Sequence, residues 1–155
     1  MNSGQNFPEI RRAMTESLAN GDLEEALEGL HRHLGSHPQD RASHLQAFAL
    51  CERLYRFDAA VAHARQAWTL LPGDLEPMRG AAMLLFLNAR YDASLAILRE
   101  ITPEDTTDVE ALVLLADVAQ RAGQPEAAGH YAAEALRRVP GHPRAVRILA
   151  HLERR

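Results

Sequence analysis

Residues of one kind recur in this chain at a fixed step of 34 positions. Pro38, Pro72 and Pro140 stand on one grid, with Thr106 in the remaining slot. Ala26, Ala60, Ser94 and Ala128 form a second grid of small side chains, and Gly21, Tyr55, Ala89 and Gly123 form a third. Three ladders with one period and no slippage describe a stack of similar supersecondary units rather than one globular core. Four units fill residues 7–40, 41–74, 75–108 and 109–142. Residues 1–6 remain as a flexible N-terminus, and 143–155 as a capping helix or the start of a fifth repeat. No spare length is left for a separate catalytic domain.

The units read as helical. Hydrophobic residues make up 46% of the chain but aromatics only 5%. The apolar content is mostly Ala and Leu, which suits close-packed helices and suits strands poorly. In the first unit Asn6-Phe7-Pro8-Glu9 starts a helix that runs to about Asn20. Gly21 then supplies the turn, and Asp22 caps a second helix with Glu25 three residues on. That helix carries Leu23, Ala26, Leu27, Leu30 and Leu34 as one apolar stripe. Helix pairs follow near 41–54 and 58–70, 75–88 and 92–101, and 109–122 and 125–139. Thr107 and Glu110 have the spacing of a capping box. A further helix starts at Pro143 with Val146, Leu149 and Leu152 on one face. No connection exceeds about six residues. The small ladder falls where the two helices of one unit cross closely, because bulk there would push them apart.

Charge and cysteine content narrow the setting. The net charge of −4 gives the whole molecule no attraction for polyanions. The sign is uneven: from Arg137 onward there are six Arg and one Glu, about +5, leaving about −9 elsewhere. All 17 basic residues are Arg. Cys51 is the only cysteine and can form no internal disulfide. The N-terminus has no apolar core of a signal peptide, and Leu112–Ala116 is too short to span a bilayer. The expectation is a soluble, cytoplasmic protein with no membrane association.

Gly21-Asp-Leu-Glu-Glu-Ala-Leu27, followed by His37-Pro38, resembles the tetratricopeptide repeat family. Parallel segments are Tyr55-Arg-Phe-Asp-Ala-Ala-Val61, Ala89-Arg-Tyr-Asp-Ala-Ser-Leu95 and Gly123-Gln-Pro-Glu-Ala-Ala-Gly129. The resemblance covers residues 7–142, and the last helix looks like the family's capping helix. It implies an all-α, right-handed superhelical α-solenoid of four antiparallel helix pairs. There are departures. The family's large aromatic near the start of each unit is replaced by Ile10, His44, Met78 and Leu112. Gly129 stands for a usual Leu and His33 for a usual Ala, which suggests looser packing at the ends of the stack.

The resemblance also implies a concave groove lined by the first helix of each unit, in which a peptide or protein segment lies. The lining would be Arg11, Arg12, Thr15 and Leu18, then Leu45, Gln46, Ala49, Glu52 and Arg53. It would continue through Glu76, Arg79, Met83, Phe86 and Leu87 to Val113, Asp117, Gln120 and Arg121. Its middle is apolar and its ends are charged. The competing reading makes Leu45, Met83 and Phe86 packing residues between helices. One subfamily clamps acidic chaperone C-termini. This chain keeps Arg11 and Gln46 but puts Thr15, Glu76 and Gly80 where an Asn and two bases belong, and Glu76 would repel the carboxylate.

Other chemistry finds little support. Eight His include His31, His33 and His37 near one helix end, but no Cys and no well-placed acid joins them as metal ligands. No Gly-rich phosphate loop, no HExxH and no paired Cys motif occurs. Cys51 and His44 lie two turns apart, which is not a nucleophile with its base. Glu100, Glu104, Asp105, Asp108 and Glu110 read as a solvated loop with capping acids. Arg144, Arg147, Arg154 and Arg155 read as a polar outer face, with docking of an acidic partner or a following domain as the alternative. That patch is too small and too poor in aromatics for nucleic acid. The sequence asks for no cofactor and no metal, and points away from an enzyme.

The expected function is non-catalytic protein binding, as an adaptor, scaffold or co-chaperone. The outline also resembles bacterial secretion chaperones. The alternative is the N-terminal module of a larger enzyme, since repeats of this type precede sulfotransferase and aspartyl-hydroxylase-like domains. A third reading is homo-oligomerisation through the last helix.

Overall fold

The computed structural model describes residues 16, 19, 21–104 and 106–154. Among them are eight helices and no strand: α1 (Leu23–Ser36), α2 (Arg41–Arg53), α3 (Phe57–Leu70), α4 (Glu76–Leu87), α5 (Tyr91–Ile101), α6 (Val109–Arg121), α7 (Pro125–Arg138) and α8 (Pro143–Leu152). The helix expected from Phe7 to about Asn20, with Ile10, Arg11, Arg12, Thr15 and Leu18, lies outside the described residues, apart from Glu16 and Ala19, which are helical. The chain divides into two compact units between Ala81 and Ala82. In the first, α2 packs against α1 and α3. In the second, α6 packs against α5, α7 and α8, and α8 also against α7.

The glycine-containing ladder marks one backbone conformation. Gly21, Tyr55, Ala89 and Gly123 all have positive φ, at 79°, 57°, 58° and 72°. Tyr55, Ala89 and Gly123 each follow the first helix of a pair. Where the preceding helix is described, the same two bonds recur. Tyr55 N–H donates to the Glu52 carbonyl (3.1 Å) and Arg56 N–H to that of Cys51 (2.8 Å). Ala89 and Arg90 do the same to Phe86 and Leu85, and Gly123 and Gln124 to Gln120 and Ala119. Bonds reaching back three and five residues satisfy helix carbonyls that have no partner in the helix itself. Glycine enters this left-handed region freely, whereas a side chain costs about 1–2 kcal/mol there. Tyr55 and Ala89 bear that cost.

The small ladder is buried throughout: Ala26 is 1% exposed, and Ala60, Ser94 and Ala128 are 0%. Ser94 shows what surrounds this position. Its hydroxyl, on α5, donates to the Ala82 carbonyl of α4 at 2.7 Å. A side chain one atom beyond Cβ already touches the neighbouring helix's backbone. The hydroxyl is satisfied without water, as a buried donor must be.

The proline ladder sits in the connections. Turns closed by Asp40 N–H to the His37 carbonyl (3.1 Å), Asp74 to Leu71 (3.0 Å) and His142 to Val139 (3.2 Å) each hold a proline at their second position, where its fixed φ fits. The third unit departs. Pro103 holds Thr102 in an extended conformation (φ −108°, ψ 112°), so α5 stops early. It has 11 residues where α1, α3 and α7 have 14. The connection, Thr102–Asp108, is seven residues long and exceeds the expected limit of about six. The helix loses what the loop gains, and α1, α3, α5 and α7 begin at Leu23, Phe57, Tyr91 and Pro125, each 34 residues after the last.

Caps follow the acids. Asp22 accepts from Glu25 N–H (2.9 Å), and Asp40 accepts from Ser43 N–H (3.3 Å) and the Ser43 hydroxyl (2.8 Å). The Thr107–Glu110 box does not form. Asp108, one residue later, caps α6 by accepting from Glu110 N–H and Ala111 N–H (3.1 and 3.2 Å), because it is the residue at the N-cap. On α8 the packed face is Ala145, Ile148, Leu149 and Leu152, whereas Val146, expected on it, is 45% exposed. A Cβ at Gly129 would lie 3.7 Å from Leu152 Cδ1, so Leu152 covers the site of the missing leucine.

Histidines organise the packing of α1, α2 and α3. His33 is 2% exposed and its Nε2 lies 2.8 Å from Asp40 Oδ2. Burial opposes ionisation of Asp40, but hydrogen bonds from His33 and Ser43 outweigh it and hold the carboxyl below its usual range. A second arrangement is a chain. His44 Nε2 lies 2.9 Å from the Pro38 carbonyl, His44 Nδ1 3.1 Å from His63 Nδ1, and His63 Nε2 3.2 Å from His31 Nε2. A carbonyl only accepts, so His44 Nε2 carries a proton and, in neutral His44, Nδ1 does not. His63 Nδ1–H then donates to His44, and His31 Nε2–H donates to His63. A proton added to His63 would face a donor. Burial, then the positive charge His31 and His44 carry when protonated, pushes the His63 pKa down to about 4.

Two predictions follow from this architecture. Tyr55→Gly and Ala89→Gly relieve left-handed strain and raise stability by about 0.5–1 kcal/mol each, the rest being offset by glycine's freedom in the unfolded chain. Denaturant midpoints check this, and a fall at both positions refutes it. Between pH 6.5 and about 4 the unfolded chain binds a proton at position 63 that the folded chain does not. The stabilisation from neutral His63 is therefore full above pH 6.5 and lost as the pH falls toward 4. His63→Gln removes this dependence. Its stability changes less over that window than the parent's, by about 1 kcal/mol once solvent screening at a half-exposed ring is allowed for. Parallel slopes for the two proteins count against the assignment.

Candidate protein-binding site

The outward side of each first helix is the surface the sequence assigns to ligand. In the first unit, α2 places Gln46, Ala49, Glu52 and Arg53 exposed and Leu45 half-buried. The start of α4 adds Glu76 and Arg79, whose guanidinium lies 3.2 Å from the Glu76 carboxylate. A Cβ at Gly80 would touch the Phe48 ring at 3.4 Å, an ordinary contact. Arg11 and Thr15 lie outside the described residues.

In the second unit, α4 presents Met83 (42% exposed) and Leu87 (72%), with Phe86 half-buried between them. Phe86 meets the edge of Tyr91, with ring centroids 5.6 Å apart, and the Arg121 guanidinium lies 5.8 Å from its centroid. A cation over a ring gains from the quadrupole, and here it fixes Arg121 of α6 beside the apolar residues of α4. Val113 departs from expectation. It is 0% exposed, because α6 is packed by α5, α7 and α8 and this short side chain does not reach beyond them. It belongs to the core. Asp117 and Gln120 are half-buried, and Arg121 is exposed.

The sequence reading of the last arginines also changes. Arg144 does not simply face solvent: its Nη2 lies 3.0 Å from Asp117 Oδ2. Arg144, Arg147, Ile148 and His151 of α8 face Asp117, Gln120 and Arg121 of α6 across a cleft of about 550 Å³. Among the described residues, neither Arg121 nor Arg147 makes an ion pair. The repeat grid contains the signal for this cleft. One step of 34 carries Val113 to Arg147 and Asp117 to His151. Extending the lining register into α8 finds both.

The remaining reactive groups are structural. The Cys51 thiol is 0% exposed, and burial pushes its pKa up, with Arg56 opposing and Glu24 reinforcing. Both His44 nitrogens are engaged, by Pro38 and His63, so His44 is no base for Cys51. His33 does have a nearby acid, Asp40, contrary to the sequence reading, but the pair serves helix packing and capping. Among the described residues, no three His, Cys, Asp or Glu side chains converge as metal ligands, and no helix is long and apolar enough to cross a membrane.

Residues 53–118 match the family model for the tetratricopeptide repeat. No curated protein matches the sequence. Solved structures share the fold at low identity. MamA residues 41 to the end, from Desulfovibrio magneticus RS-1, is 18% identical, over 97% of this chain and 95% of that one, with a TM-score of 0.59. A tetratricopeptide repeat protein from Parabacteroides merdae ATCC 43184 is 18% identical, over 97% of this chain and 60% of that one, with a TM-score of 0.64. YrrB, described as a tetratricopeptide repeat protein with an unusual peptide-binding site, is 17% identical, over 99% and 81%, with a TM-score of 0.60. Residues 53–118 thus match the tetratricopeptide repeat, and the left-handed turns and all-α helix pairs of the described residues are of the same fold.

Proposed function

We propose that the chain is a non-catalytic binding module that holds a segment of another protein on the outward faces of its first helices. The observation that carries this is the exposed apolar surface of α4: Met83 and Leu87 stand in solvent beside Phe86, on a helix whose other side is buried through Met78, Ala81, Ala82, Leu84 and Leu85. Burying such residues against a partner gains about 25 cal/mol per Å² of apolar surface, offset by the ordering of the partner. Charged residues flank them, which suits a segment with an apolar centre. YrrB, of the same fold, is described as having a peptide-binding site.

Met83→Glu together with Phe86→Glu is expected to abolish capture of the partner from native lysate. The helical circular dichroism of the variant is expected to stay at the parent level, because Met83 is exposed and Phe86 is only half-buried at the surface. Capture of the same proteins by parent and variant would move the binding surface elsewhere.

A further inference from the structure

We infer that the cleft between α6 and α8 binds an acidic peptide segment, with carboxylates held by Arg121, Arg144 and Arg147. This rests on the reading of the chain as a protein-binding module and names the chemistry of its ligand. The cleft gathers three arginines and His151 around a single carboxylate, that of Asp117. The chain as a whole carries a net charge of −4, so the cleft opposes the sign of the molecule around it. Asp117 compensates one arginine, Arg144, at 3.0 Å. Arg121 rests on the Phe86 ring, and Arg147 has no ion-pair partner among the described residues.

Charge complementarity therefore asks for at least two negative groups from outside. Arginine's planar fork matches a carboxylate with two parallel hydrogen bonds. Ile148 in the cleft, and Phe86 beside Arg121, give an apolar side chain between those carboxylates a surface to pack on. The occupant is thus a segment alternating acidic and apolar residues. Nucleic acid fits less well. The cleft lining holds no Phe, Tyr or Trp, only the small ring of His151, and the net negative charge repels a long polyanion.

The test uses the full chain and three short fluorescein-labelled peptides: one alternating glutamate with leucine, one glutamine with leucine, one glutamate with serine. Fluorescence anisotropy is read at low and at physiological salt. The glutamate–leucine peptide is expected to bind at least about ten-fold tighter than the glutamine–leucine one, a difference that shrinks with salt. Arg121→Gln with Arg147→Gln is expected to remove that preference. Arg154→Gln, which also deletes one charge near α8 but lies outside the cleft, is expected to keep it. Equal affinity for the glutamate–leucine and glutamine–leucine peptides, abolished by Met83→Glu with Phe86→Glu, overturns the acidic cleft and leaves the binding module standing. No binding of any peptide overturns the acidic cleft, and the lysate capture then decides the module separately. Tighter binding of a short single-stranded RNA than of the glutamate–leucine peptide, lost in the Arg121 and Arg147 double variant, overturns the peptide assignment.

Discussion

The distance of closest approach between the two helices of a pair governs this fold. Position 94 measures it most directly, because its hydroxyl bonds a backbone carbonyl of the partner helix rather than another side chain. No side chain larger than serine stands at the equivalent position in any repeat. When backbones pack this closely, the crossing angle and rotation of each helix are set by ridges meeting grooves. Each first helix then turns an outward face away from that contact. Those faces can vary freely because the contact beneath them does not.

The turn makes that approach possible. Two helices must reverse direction over a few residues, and the left-handed residue does this while satisfying the last carbonyls of the first helix. The conformation is kept even where the residue opposes it. Tyr55 and Ala89 adopt the same φ as Gly21 and Gly123, to within about twenty degrees. Close packing on both sides holds the backbone there against the cost of a Cβ. Length is regulated just as tightly. In the third unit a shorter α5 and a longer loop offset one another, so the next second helix still starts on the grid.

Scaffold positions were legible in the sequence because they see the same neighbours in every repeat. The helices, the positions of the turns between them and the small ladder could all be read from a shared period. Details that depend on one repeat alone were less legible. The cap of α6 falls on Asp108 rather than Thr107, one repeat step after Asp40 and Asp74, a ladder of acids that the capping-box spacing at Thr107 obscured. The packed face of α8 omits Val146, and nothing periodic predicts which way a helix without a full repeat behind it will turn. The histidine chain was invisible for another reason. His31, His44 and His63 belong to three different helices, and only tertiary packing brings their nitrogens within 3.2 Å.

Surface positions are a different case, since neither packing nor backbone conformation constrains them to resemble one another. One register reads Leu45, Arg79, Val113, Arg147, and its neighbour reads Ala49, Met83, Asp117, His151. Drift alone would scatter charge along these rows. Across α6 and α8, Arg147 of the first row joins Arg121 and Arg144 in one cleft with a single acid, Asp117 of the second. Like charges within about 8 Å are poorly screened at physiological ionic strength and repel in the folded state. The unfolded chain relaxes that repulsion, so the cluster costs stability. Asp117 and the Phe86 ring offset part of the cost, and Arg147 has no comparable compensation among the described residues.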